Sequence, residues 1–313
     1  MRFMYISLFL IINFINIGAK IRLLSFHYNR PDFVEFQYKA FKKFFNKDHE
    51  LIVFNDASDL QIAQEIQQVC DKYGIQCVRF LQHWHEKSSL IDEIHKWKNI
   101  TDVTGLIGYP ELLGRHPSIR HCHVIQYALD NFGYDHDDIL GLLDGDMFLI
   151  KKFDIREYLK HDDMIGYAIK DVTKTVEYIW PGIVFLNLKK LPNIKDLHFN
   201  VTCVDKHVTD SGGHSYFYLK SYPQIRLKKY NADSIFRLSK LKRDQLLKNG
   251  FNSKEIALIK NNPPAAELHI NNHFLHYYRS SFFAETNPYA SETKEFHKNK
   301  SNIFMEFLKS ILS

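Results

Sequence analysis

The chain has 313 residues, enough for one large α/β domain or two smaller ones, and is 45% hydrophobic and 14% aromatic. Only 13 Gly and 9 Pro argue against a disordered chain, and 41 Lys and Arg against 36 Asp and Glu leave a formal net charge of +5. So small an excess suits an enzyme handling an anionic substrate and does not call for nucleic acid as a partner.

The N-terminus carries the one targeting signal. Met1-Arg2 precedes an apolar run over residues 3–17, broken only by Ser7, Asn13 and Asn16 and followed by Gly18-Ala19. A basic start, a short hydrophobic stretch and a small residue before Lys20 predict a secretory signal peptide over residues 1–19, and so an exported or membrane-associated protein. The run is short for a spanning helix, which needs about 20 apolar residues. A membrane anchor and a buried first element of a cytoplasmic domain are the two other readings.

From Lys20 the sequence alternates between strand and helix patterns. Residues 21–26 form a short apolar run, a buried strand that ends in the polar loop 27–31. Asp32, with Glu35 three residues on, predicts a capped helix start. Phe33, Phe36, Ala40, Phe41 and Phe44 then give that helix one buried face. A second strand at 51–54 ends in Asn55-Asp56, a helix covers 59–72, and a third strand covers 76–81. Residues 82–117 read as loop plus helix. Ser118 opens a helix that places Ile125, Ala128, Leu129 and Phe132 on one side, and 138–143 is a fourth buried strand. Such repetition predicts a largely parallel, doubly wound sheet, in which ligands gather outside the carboxyl ends of the strands. His27, Asp56 and Asp144 lie at those ends.

The second half is less regular. Strands are expected at 164–169, 183–188 and 273–278, and an amphipathic helix at 301–312 that reads as core packing rather than as an anchor. The stretch 220–248 is basic; it suits diphosphate, an acidic membrane surface in a peripheral association, or a plain solvated helical face, the last being favoured. The four cysteines form no C-x-x-C pair. A Cys70–Cys77 bridge stays open for an oxidising compartment, with free core thiols favoured. The organisation expected is a leader over 1–19, one catalytic domain over 20–290 and a C-terminal helix within 291–313.

Asp144-Gly145-Asp146 is where chemistry concentrates. Two carboxylates around a glycine at a strand end can share one divalent cation, since Mg²⁺ and Mn²⁺ combine carboxylates with substrate phosphates. The bland alternative is a polar turn, because Asp-Gly is a common turn dipeptide. Arg120 and His121 open the preceding helix, where a cation conflicts with the helix dipole; an anionic ligand would resolve the conflict, and solvent would also do so. His269, His273 and His276 suggest zinc, but Asn271-Asn272 breaks any helix and no H-E-x-x-H is present.

Residues 139–150 resemble the "hydrophobic strand, D-x-D, hydrophobic" signature of GT-A glycosyltransferases. Residues 25–31 resemble the nucleotide-facing loop of that family, and Asn55-Asp56 stands where such enzymes offer an acidic residue to the base. Residues 180–188 are similar to the segment that closes over the donor, 210–213 to an acceptor-side acidic loop, and 276–281 to a late H-x-x-x-S pattern that supplies a third metal ligand. The resemblance spans 20 to about 285 and implies a GT-A, Rossmann-like α/β fold: a mostly parallel sheet flanked by helices, with a smaller mixed subregion on the acceptor side. It also implies Mn²⁺ or Mg²⁺, a nucleotide-sugar donor and a glycan, lipid or protein acceptor. The metal ligands would be Asp144, Asp146 and His276. Donor contacts would come from Ser25, His27, Asn29, Arg30, Asp56, Arg120, His121, Asp144 and Gly182. Asp210 would be the acceptor-side base of an inverting reaction, or would orient the acceptor of a retaining one. The late motif lacks the Gly and Lys of the closest retaining groups.

Three rivals fit less well. A haloacid-dehalogenase-type phosphotransferase places its Asp-x-Asp after the first strand. A nucleotidyltransferase wants a Gly-rich loop where 27–31 stands. A non-catalytic carbohydrate-binding relative has no need of both aspartates.

Overall fold

The computed structural model describes residues 20–46, 48–86, 117–170, 176–205, 207–263, 266–277 and 294–313. The expected leader over 1–19 lies outside them; among the described residues no helix is long and apolar enough to cross a membrane.

A seven-stranded sheet forms the centre, in the order β10-β6-β7-β4-β1-β2-β3. It is built from β1 (Ile21–His27), β2 (His49–Asn55), β3 (Gln76–Arg79), β4 (Ile139–Asp144), β6 (Met164–Lys170), β7 (Glu177–Asn187) and β10 (Leu227–Tyr230). Strands β1 to β4 run parallel, whereas β7 is antiparallel to both β4 and β6. A second sheet, in the order β11-β12-β13-β5, joins β5 (Met147–Leu149), β11 (Asp233–Ser234), β12 (Ala266–His269) and β13 (Phe274–Tyr277). A short ribbon pairs β8 (Cys203–Val204) with β9 (His207–Val208). This is the expected architecture: a mostly parallel sheet flanked by helices, with a smaller antiparallel sheet beside it.

The continuous apolar runs of β1 and β4 follow from burial on both faces. Leu24, Phe26, Leu140 and Leu142 face one way, toward Val124, Ile125 and Ala128 of helix Pro117–Ala128. Ile21, Leu23, Ile139 and Leu143 face the other way, toward Ala40 and Phe41 of α1 (Pro31–Phe44). By the same alternation Ser25 and His27 point to the α1 side. The C-terminal helix (Lys294–Leu312) is longer than the expected 301–312, and Phe304, Phe307 and Leu308 join Phe33, Phe148 and Tyr277 in a third cluster. All four cysteines are free.

Several local expectations are corrected. Asp32 does not cap α1: the helix starts at Pro31 with Arg30 in the cap position, and Asp32 instead receives both guanidinium hydrogen bonds of Arg30, at 2.8 and 2.6 Å. Strand β3 stops at Arg79, because the Phe80 amide bonds to the Asn55 carbonyl and the chain turns into the short helix Gln82–Glu86. Strand β7 begins at Glu177 rather than 183, with an irregularity that passes from the Gly166–Val184 pair to the Tyr167–Trp180 pair. Pro181 lies inside that step and has no N–H to give the ladder. Residues 220–248 form no single helical face: they pass through Ser215–Ser221, β10, β11, Ile235–Leu238 and Arg243–Lys248.

Candidate metal and donor site

Asp144 ends β4, and after Gly145-Asp146 the chain enters β5, so the acidic triplet is the corner between the two sheets. The Gly145 amide donates to the Phe26 carbonyl at 2.8 Å. A Cβ at Gly145 would stand 2.5 Å from that oxygen and 2.8 Å from His27 Nδ1, so only glycine lets the turn lie this close to β1. Gln37, on the buried face of α1, donates to the carbonyls of Asp144 at 3.0 Å and Met147 at 2.9 Å, spanning the corner. Its own amide oxygen accepts from Ser25 Oγ at 2.5 Å and stands 3.2 Å from His27 Nε2. Ser25 is 0% and His27 1% exposed. Neither therefore faces a donor, as the sequence suggested; they complete the polar bracket that holds the corner. Burial keeps His27 neutral, lowering its pKa to about 4 against the opposing pull of its hydrogen bond to the Gln37 oxygen.

The small sheet brings the third candidate ligand. Strand β13 pairs with β5, His276 opposite Met147, and the Tyr277 amide donates to the Asp146 carbonyl at 3.0 Å. His276 Nε2 then lies 3.4 Å from Asp146 Oδ1. Asp144, Asp146 and His276 each offer a ligand atom within 4.8 Å of the others. On the remaining side His121 Nε2 is 2.8 Å from Asp144 Oδ1. Burial opposes charge on both imidazoles, but the carboxylates outweigh it: Asp144 raises His121, and Asp146 with Glu267 raises His276 to about 10. A cation at the corner would replace this positive charge. Two carboxylates and an imidazole fit Mn²⁺ well and Mg²⁺ through the oxygens.

A second cluster lies across β1. The Asp56 amide donates to the His27 carbonyl at 2.9 Å. Its carboxylate, almost buried, receives His85 Nε2 at 2.7 Å, Gln82 Nε2 at 3.1 Å and Arg120 at 3.0 Å. The positive charge at the helix start is thus met by protein carboxylates, Asp56 for Arg120 and Asp144 for His121, rather than needing a ligand. Asn29, in left-handed conformation at φ 55°, exchanges hydrogen bonds with Ser58 that tie the loop after β1 to the loop after β2. Arg30 lies over the Phe33 ring at 3.5 Å.

The remaining site residues lie on β7 and after it. The Trp180 indole covers Gly182, filling the space that a side chain would take. Gly182 accordingly seats Trp180 and offers no open approach to a donor. Asp210 is exposed, accepts the Ser211 amide at 2.7 Å and helps raise His121. Its two glycine neighbours serve the turn itself: Gly212 is at φ +92° with its Cβ direction blocked by the Ile179 carbonyl, and Gly213 faces the Thr209 hydroxyl. The three-histidine zinc set does not form. His273 belongs to a turn with Ile270, Asn271 and Asn272 at positive φ, and it packs on Phe153 and Tyr158. Strand β13 therefore starts at Phe274, one residue later than expected.

Reading the sequence alone missed Gln37, His85 and Glu267. Gln37 left one trace, a polar residue at helical spacing from Phe33 and Phe41 on an otherwise apolar face. Glu267 left none, because its place depends on the pairing of two distant strands.

No protein-family model matches the chain, and no curated protein sequence does. Among solved structures it is similar to core-mannan synthase A from Aspergillus fumigatus in its Mn/GDP form, with TM-score 0.34 and 8% identity over 55% of this chain and 60% of that one. It is similar to the galactosyltransferase LgtC in complex with donor and acceptor sugar analogs, with TM-score 0.42 and 11% identity over 93% and 96%. A third is the bifunctional glycosyltransferase WbbM in apo form, with TM-score 0.42 and 11% identity over 95% and 52%. The chain thus spans 60% of the length of the mannan synthase and 52% of WbbM. At these scores and identities the chemistry rests on the residues of this site alone.

Proposed function

We propose that the chain is a metal-dependent glycosyltransferase that moves a sugar from a nucleoside-diphosphate donor to an acceptor. The observation that supports it is the meeting of Asp144, Asp146 and His276 at the corner between the two sheets, outside the carboxyl end of β4. When bound there, Mn²⁺ or Mg²⁺ supplies Lewis-acid stabilisation of the charge that develops on the leaving diphosphate. Arg120, braced by Asp56, and His121, drawn toward its charged form by Asp144, add positive charge on the donor side. Asp56 with Gln82 and His85 forms the polar wall on which the nucleoside would rest, and Asn29 and Arg30 shape the loop beside it. Asp210 is the base for an inverting acceptor attack, or orients the acceptor if configuration is retained.

The test is a thermal-shift panel of nucleoside diphosphates with and without Mn²⁺. A donor nucleotide should raise the melting temperature only when the metal is present. Asp146→Ala should abolish both that shift and sugar transfer while the metal-free melting temperature stays near native. Transfer at the native rate in Asp146→Ala overturns the reading.

A further inference from the structure

Glu267 and His276 are direct cross-strand partners in the β12–β13 pair, so their side chains share one face of the small sheet. His276 is 2% exposed and uses its two nitrogens on opposite sides. Nε2 is 3.4 Å from Asp146 Oδ1, and Nδ1 is 3.7 Å from Glu267 Oε2. The ring is bracketed by Trp180 at 5.2 Å and His269 at 5.4 Å between centroids, which leaves it little freedom to turn. His269 Nε2 reaches the same Glu267 oxygen at 3.5 Å. These two imidazoles hold the Glu267 carboxyl well below the usual carboxylate range.

An imidazole that ligates a cation through Nε2 must keep its lone pair there and carry its proton on Nδ1. Which nitrogen carries the proton is set by the acceptor facing the other one. On the Nδ1 side of His276 the carboxylate that faces the ring is Glu267, at 3.7 Å. We propose that Glu267 is a positioning residue for the metal: it fixes the tautomer and ring orientation of His276 so that Nε2 is presented to the cation held with Asp144 and Asp146. This rests on the metal reading of those three residues. Glu267 acts through His276 and need touch neither metal nor donor.

Mn²⁺ affinity of the full chain, read from the electron paramagnetic resonance signal of the free ion, tests it in four proteins: native, Asp146→Ala, Glu267→Met and Glu267→Gln. Native protein should bind one saturable equivalent, and Asp146→Ala none. Glu267→Met keeps the bulk but removes the acceptor, and should weaken binding about 10- to 100-fold. Glu267→Gln keeps an oxygen that accepts from Nδ1–H, and should stay within about fivefold of native on the same principle. A merely structural role would not spare Gln and penalise Met at equal metal-free melting temperatures. Should Glu267→Met not fold, Glu267→Ala takes its place with the same expectation. Native-like affinity in the acceptor-less variant, with binding lost in Asp146→Ala, overturns the positioning role and leaves the metal reading standing. No saturable binding by native protein sinks both. Two equivalents per chain, one of them lost in His269→Ala, also overturns it, because Glu267 would then be a ligand of its own cation.

Discussion

His276 reaches the acidic corner on a strand of the small sheet, about 130 residues after Asp146 in the chain, and would contribute the one nitrogen of the proposed ligand set. Nitrogen is a softer ligand than carboxylate oxygen, so its removal should separate metals as well as weaken them. His276→Ala is expected to lower Mn²⁺ affinity and activity more than it lowers those with Mg²⁺, with the metal-free fold retained. His273→Ala serves as the control: His273 packs on Phe153 and Tyr158, so its loss should reduce stability and leave metal preference alone. Titrating both metals against both variants checks this, and equal losses for Mn²⁺ and Mg²⁺ in His276→Ala would remove the nitrogen from the ligand set. At this scale the sequence shows the carboxylates and the late histidine, because motif order survives without geometry. It misassigns Ser25 and His27, because a polar residue at a strand end looks the same whether it faces a ligand or a buried glutamine.

At the scale of elements, the corner between β4 and β5 depends on Gly145, and the reason is space. Gly145 is not among the positive-φ residues, yet its Cβ position is 2.5 Å from the Phe26 carbonyl oxygen, a backbone atom that cannot rotate away. Gly145→Ala must therefore push the corner off β1, breaking the 2.8 Å hydrogen bond to Phe26 and moving both aspartates. The expected cost is about 1–3 kcal/mol of stability, with Mn²⁺ affinity falling at least about tenfold, as a displacement of ligands by a few tenths of an ångström implies. Denaturant unfolding and metal titration of the one variant measure both, and native values of either would show that the corner yields more easily than its packing suggests. Strands β1 and β4 of the central sheet were legible because burial on both faces leaves unbroken apolar runs, whereas β10, with Lys228 and Lys229 exposed, carried no such signal. The start of β7 was not, since Pro181-Gly182 reads as a break where the chain in fact continues through an irregular step. Strand β12 was not legible either: it is four residues long and its register with β13 exists only once the Ile270–His273 turn has formed.

Over the whole molecule, 17 histidines make acid stability a sensitive property, because burial has fixed the charge of several. His27 and His123 are both lowered from 6.5 to about 4, chiefly by burial. Gln37 and the carboxylates of Asp146, Asp32 and Asp144 face His27, while His85, Asp56 and Arg120 face His123. His123 stacks on His85 at 5.7 Å, and both of its ring nitrogens are buried without a hydrogen bond. With the folded pKa below the unfolded one, the unfolded chain takes up protons first. The stability from keeping each ring neutral is complete above the unfolded value near 6.5 and is lost as pH falls toward about 4. Between about pH 7 and about pH 4.5 each group should cost roughly 2.5 kcal/mol, since a tenfold difference in proton affinity between folded and unfolded chain corresponds to about 1.4 kcal/mol. Urea unfolding at several pH values in that window, without added metal, should show the combined loss. His123→Phe preserves an aromatic ring against His85 and cannot be protonated, so it should remove the His123 share of that slope while changing stability little near neutral pH. The His27 share should remain, because Ser25 and Gln37 still enclose that ring. An unchanged slope in His123→Phe would mean that His123 reaches water before the protein unfolds, through a local opening of the helix Pro117–Ala128 that carries it.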